Sequence, residues 1–220
     1  MGNPTEWLLD PENPGVRYLT MRDLLKKAED DPDLIAARQL AHTQGPIASI
    51  LEAMQPEGFW AEPGPGYNPK YRSTVWSIAL LAQLGGRVEE DERIRHACEY
   101  LMDHNLTPGG HFGVNGTPSG TIDCLQGNLC WALLTLGYDD PRLDTAFEWM
   151  ARTVTGEGVA PKTNKDADRR YYAYKCGPLF ACGANNGFPC AWGATKVMMA
   201  FGRLPKIKRT PLIDNAIQQG

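Results

Sequence analysis

TIDCLQGNLCWALLTLGY, residues 121–138, opens polar, carries two cysteines and runs into an apolar segment that ends at Gly137. The part LCWALLTLG is apolar around most of a helical circumference, the pattern of a helix touched on all sides. Residues 175–196, KCGPLFACGANNGFPCAWGATK, repeat the arrangement: an irregular loop, a cysteine, then an apolar helix closed by Gly202. The two stretches therefore read as parts of one site at the starts of two buried helices.

Outward from them the chain is repetitive. Glycine-bearing loops recur at 55–60 (QPEGFW), 107–112 (TPGGHF) and 155–160 (TGEGVA). Apolar helices are expected at 74–85, 125–137 and 190–202, and each is followed by an amphipathic helix, at 91–103, 141–153 and 211–218. Gly85, Gly137 and Gly202 stand where a left-handed residue would stop each apolar helix. A period of about 50 residues built from helix pairs is the signature of a solenoid or toroid. The apolar helices would then form an inner ring and the amphipathic ones an outer ring. Ahead of the repeats, short helices are expected at 6–9, 16–27, 33–43 and from Pro46 to before Pro56, with the acidic run 29–33 breaking one and capping the next. Nothing alternates with period two over a useful length, so the expected fold is all-α with almost no sheet, a single domain over 1–220.

Hydrophobic residues at 42% and charged residues at 22% are ordinary for a globular chain. A net charge of −4 argues against binding nucleic acid by phosphate neutralisation, and the one basic cluster, 206–209 (KIKR), reads as a solvated loop. No apolar run reaches the length of a membrane span. The start, MGNPTEWLLD, shows no secretory pattern, and Gly2 has little support as an acylation site. A cytoplasmic location is expected, where the six cysteines read as thiols or metal ligands and not as a disulfide frame.

Gln55-Pro56-Glu57-Gly58-Phe59-Trp60 resembles the glutamine-tryptophan motif of the α/α-toroid superfamily, which includes squalene and terpene cyclases and protein prenyltransferases. Asp123-Cys124 with Gly127-Asn128, Cys190 before Trp192-Gly193, and the opening VRYLTMRDLL are similar to an uncharacterised bacterial prenyltransferase-like branch. The resemblance implies an α/α toroid and an apolar, isoprenoid-like substrate held by aromatics such as Trp76, Trp131 and Trp192. The departures are chemical. No Asp-x-Asp-Asp acid motif occurs, Asp123 and Cys124 are adjacent where the prenyltransferase zinc ligands are spaced by one residue, and no histidine follows His111. The chain is also short for a complete toroid, so the ring is open, small, or completed by a partner subunit, a homo-oligomer or further C-terminal sequence.

Cys124 and Cys190 occupy equivalent repeat positions, 13 residues before Gly137 and 12 before Gly202, so both would face the axis of a toroid. Cys176 and Cys182 lie on the loop that leads into Cys190 and could fold over the same point. Four thiols suit zinc, which takes tetrahedral nitrogen and sulfur donors, and Cys124, Cys176, Cys182 and Cys190 are the candidate ligands. A helix N-terminus also favours a thiolate, which makes Cys124 and Cys190 candidate nucleophiles. Small core residues are the plainer alternative, and they are the preferred reading for Cys98 and Cys130. Asp123 reads as a helix cap, as a partner orienting a metal ligand, or as a general base, and His111 as a structural group or a proton carrier. The aromatic and basic run 169–175, with Tyr71 and Arg72 at the equivalent mouth, makes Tyr71, Arg72, Trp76, Trp131, Tyr172 and Trp192 the candidate substrate contacts. The expected function is a zinc- or thiolate-dependent enzyme acting on a small molecule in the central cavity. The competing expectation is a non-catalytic helical-repeat binding module with a structural metal or core cysteines.

Overall fold

Proline at the first helical position starts each of the four short helices that open the computed structural model, which describes residues 3–172 and 175–220. Its missing N–H and preset φ suit that position. Gly2, and Tyr174 of the aromatic run, lie outside the described residues. These helices are α1 (Pro4–Leu8), α2 (Pro14–Leu19), α3 (Pro32–Thr43) and α4 (Pro46–Glu52). The acidic run acts as read: Asp31 caps α3 by accepting from the Asp33 and Leu34 N–H groups at 2.9 and 3.2 Å. The helix expected at 16–27 begins earlier and then widens into a π turn, Thr20–Leu24.

The repeats supply α5 (Thr74–Gln83), α6 (Glu92–Asn105), α7 (Asp123–Thr135), α8 (Arg142–Thr155), α9 (Ala191–Arg203) and α10 (Pro211–Gln219). The fold is all-α. No strand occurs among the described residues, and isolated bridges such as Leu106 with Phe112 and Ala160 with Arg170 pin the loops. Between α4 and α5, Trp60 does the tying: its indole N–H donates to the Ile50 carbonyl at 2.7 Å, and its backbone N–H to Thr74 Oγ1 at 3.2 Å.

Helix α7 lies between α5 and α9, while α6 packs on α5, α8 on α7, and α10 on both α8 and α9. The apolar segment 125–136 explains this placement, since Leu125, Leu129, Cys130, Leu133 and Leu136 are all buried in the main core. Each such leucine contributes about 1.5–3 kcal/mol of burial. The α7–α9 contact is the most extensive in the molecule, and a glycine permits it. A Cβ on Gly127 would stand 2.5 Å from the Val197 backbone nitrogen and closer still to the Lys196 carbonyl carbon.

Gly85 and Gly137 do stop their helices in the left-handed region, at φ +87 and +80°. Gly202 does not: it is an ordinary residue inside α9, which ends at Arg203 just ahead of Pro205. A smaller apolar cluster of Tyr18, Met21, Leu34 and Ala37 lies apart from the main core and belongs to α2, its π turn and α3. Among the described residues no helix is long and apolar enough to cross a membrane.

Candidate functional site

The loop entering α5 folds back on the helix, because Ser73 Oγ donates to the Gly66 carbonyl at 2.6 Å and the Trp76 indole donates to the Tyr67 carbonyl at 2.8 Å. Those bonds gather three aromatic rings. The Trp76 ring lies 5.2 Å from Tyr67 and 4.9 Å from Tyr71, both tilted. Lys70 places its ammonium 5.1 Å from the Tyr71 ring and 5.8 Å from that of Trp76. From α7, Cys124 and Asn128 face the same space, being one helical turn apart, and Trp192 at the start of α9 faces it as well. Together with Val75, Ala79, Ile122 and Leu125 they line a cleft of about 330 Å³. Tyr71 and Trp192, 72% and 63% exposed, form its rims, and the half-buried Trp76 is its wall.

Behind this cleft Asp123 faces the other way. Its Oδ1 accepts from the buried Cys176 Sγ at 2.9 Å, and its Oδ2 is buried with no hydrogen-bond partner among the described residues. Burial pushes the Asp123 carboxyl up to about 7 against the smaller opposing pull of the Cys176 bond. The helix-cap reading of Asp123 is thereby corrected: Ile122 is the N-cap residue, and the carboxylate bonds a thiol instead of backbone N–H groups. Burial and the adjacent carboxyl push the Cys176 thiol well above its ordinary range.

Cys124 is also raised, first by burial and then by the charges of Asp123 and Cys190, against the smaller pull of the amides at the helix start. The dipole argument for a thiolate is outweighed at this residue. Cys190 caps α9, its sulfur accepting from Gly193 N–H at 3.5 Å. Cys182 is buried in its loop, and Cys98 and Cys130 are fully buried.

Among the described residues, no group of three or more histidine, cysteine or acidic side chains is arranged to hold a metal ion. One sulfur faces the cleft, one bonds Asp123 and one caps a helix. Cys124, Cys176, Cys182 and Cys190 do not form such a group among the described residues.

His111 is buried, with its ring stacked 4.3 Å from Trp149 and 5.4 Å from Tyr172. Burial lowers it to about 4, so it is neutral at pH 7. It does not line the cleft. Of the expected substrate contacts, Tyr71, Trp76 and Trp192 meet at the cleft together with Cys124. Tyr172 joins the His111 stack under the Arg170 guanidinium, Trp131 packs against the core, and Arg72 lies on the exposed surface. Lys70 and Asn128 are cleft residues that sequence reasoning misses. The signals that could have found them are a cation set between Tyr67 and Tyr71, and the one-turn spacing of Asn128 from Cys124.

No protein-family model, curated protein or solved structure matches the chain. The functional reading rests on the geometry of the cleft.

Proposed function

We propose that this chain is a small-molecule-binding protein built as a partial α/α toroid, which holds an apolar, isoprenoid-like ligand against the Cys124 thiol. The observation that carries this reading is the convergence of Tyr71, Trp76 and Trp192, from two distant stretches, on a cleft whose α7 wall carries Cys124. Concave, mostly apolar sites with a few placed polar groups are the usual form of a ligand pocket. The chemistry such a cleft supports is thiol-dependent transfer: Cys124 sulfur attacks an electrophilic carbon of the ligand, the leaving group departs with its electron pair, and the thiol proton goes to solvent. Because the thiol is raised above its usual range, this step is slow at neutral pH and quickens in alkali.

A second reading, a non-catalytic binding module, is favoured by one observation: Asp123 and His111, the candidate proton carriers, do not line the cleft.

Incubation with an allylic isoprenoid halide, followed by intact-mass measurement and peptide mapping, separates the two. The enzyme reading expects an adduct on Cys124 whose formation accelerates as pH rises, slows in Trp76→Ala and disappears in Cys124→Ser. Saturable quenching of tryptophan fluorescence by an isoprenoid alcohol, with no adduct on Cys124, leaves the binding module. Labelling spread evenly over the partly buried Cys124 and Cys190, indifferent to Trp76→Ala, counts against both.

A further inference from the structure

We propose that the cleft's ligand carries a single negative charge at one end, set against Lys70, with Lys196 beside Trp192 adding to the attraction. This specifies the ligand of the site proposed above and rests on the cleft being a small-molecule site. Among the described residues, Lys70 is the one charged side chain in the lining, with no aspartate, glutamate or arginine beside it. On α9, Lys196 holds its ammonium 4.9 Å from the ring of Trp192, which lines the cleft. Two rings that line the cleft, those of Tyr71 and Trp192, thus each carry a cation.

Neither lysine stands within ion-pair distance of a carboxylate among the described residues. Acidic residues outnumber basic ones, 26 to 22, and several other cations are paired, among them Lys27 with Asp31, Arg38 with Glu90, Arg142 with Asp103 and Lys208 with Asp139. A hydrogen bond with Tyr71 raises Lys70 further above its ordinary value, so it remains an ammonium at any physiological pH.

A cation on an exposed ring gains about 0.5–1 kcal/mol from the ring. A charge-assisted hydrogen bond to an anion is roughly twice as strong as a neutral one, so an incoming anionic head improves on the unliganded state while its apolar body covers Trp76. One cation in the lining matches one negative charge. The lining therefore suits a carboxylate or another singly charged head better than a multiply charged phosphate chain.

Isothermal titration with four decyl probes tests the assignment: decanoate, decyl phosphate, 1-decanol and decylammonium. Decanoate is expected to bind about tenfold more tightly than decanol, a difference of about 1.4 kcal/mol, with decylammonium the weakest. The double variant Lys70→Gln/Lys196→Gln is expected to lose that advantage and keep the decanol affinity within about twofold of wild type. Equal binding of decanoate and decanol by the wild type overturns the charge assignment and leaves the apolar cleft standing; so does an advantage that survives the double variant. Decyl phosphate binding more tightly than decanoate overturns the single charge. If no probe binds, or if Trp76→Ala leaves every affinity unchanged, the cleft itself is not the site and both readings fall.

Discussion

Along its α9 flank, α7 sets Gly127 against the Lys196–Val197 backbone and leaves no room for a methyl group. Along its α5 flank, the same helix sets Cys124 and Asn128 opposite Trp76 and leaves a cleft of about 330 Å³. Gly127 and Asn128 are neighbours in sequence, but about 100° of helical rotation separates them. A residue without a side chain closes one seam. Longer side chains, facing aromatic rings that are held off by their own hydrogen bonds, prop the other open. What a helix binds is decided here by where it fails to pack.

The largest effect is expected from breaking the closed seam. Gly127→Ala places a methyl against backbone, which moves less readily than a side chain, so urea unfolding should show a loss at the upper end of the roughly 1–3 kcal/mol typical of overpacking. A loss under about 0.5 kcal/mol would mean that the seam is softer than its geometry implies.

Asp123 sharpens the comparison, since it lies on the closed side, facing Gly193 and Cys176. Its folded-state value, about 7, exceeds the usual unfolded one, so the folded chain keeps this proton after the unfolded chain has lost it. Its contribution is thus fully present below about pH 4 and is lost as pH rises to about 7. Asp123→Asn should remove that slope, so that the wild-type-minus-variant stability falls by about 3 kcal/mol between pH 4 and 7. A parallel pair of stability curves would count against a buried, protonated carboxyl.

The smallest effect has the opposite sign. Gly202 lies within α9, has no atom within 4 Å of where an added methyl group would stand and does not adopt a positive φ. Gly202→Ala should stabilise the protein by about 0.5–1 kcal/mol, read as a raised thermal midpoint, without touching either seam.

Most of the helix positions are legible in the sequence, because a repeat shows the same apolar run three times and proline and glycine punctuate it. Gly202 misleads for a local reason: the glycine signal is right at 85 and 137, but at 202 Pro205 is already positioned to end the helix. The aromatic part of the site is legible at Tyr71, Trp76 and Trp192, since equivalent repeat positions place their residues at equivalent helix starts. Trp131 is the same kind of residue two turns further in, where it meets core. The cysteines are less legible. Spacing brings Cys124, Cys176 and Cys190 to one end of α7 and α9, but it does not say which way each sulfur points, and one turns to Asp123 and another to a helix cap. The reactivity of Cys124 is misjudged for a related reason. The helix amides that favour a thiolate can be read from the sequence, whereas the burial that outweighs them depends on residues far away in the chain.

The separate cluster of Tyr18, Met21, Leu34 and Ala37 carries a consequence for how the molecule breathes. The Arg38–Glu90 ion pair, the Arg87 N–H bond to His42 Nε2 and the close approach of Tyr18 to Gly85 help hold this front piece to the repeats. A unit with its own small nucleus opens more readily than the main core, so its amides should trade protons with solvent before those of the repeats do.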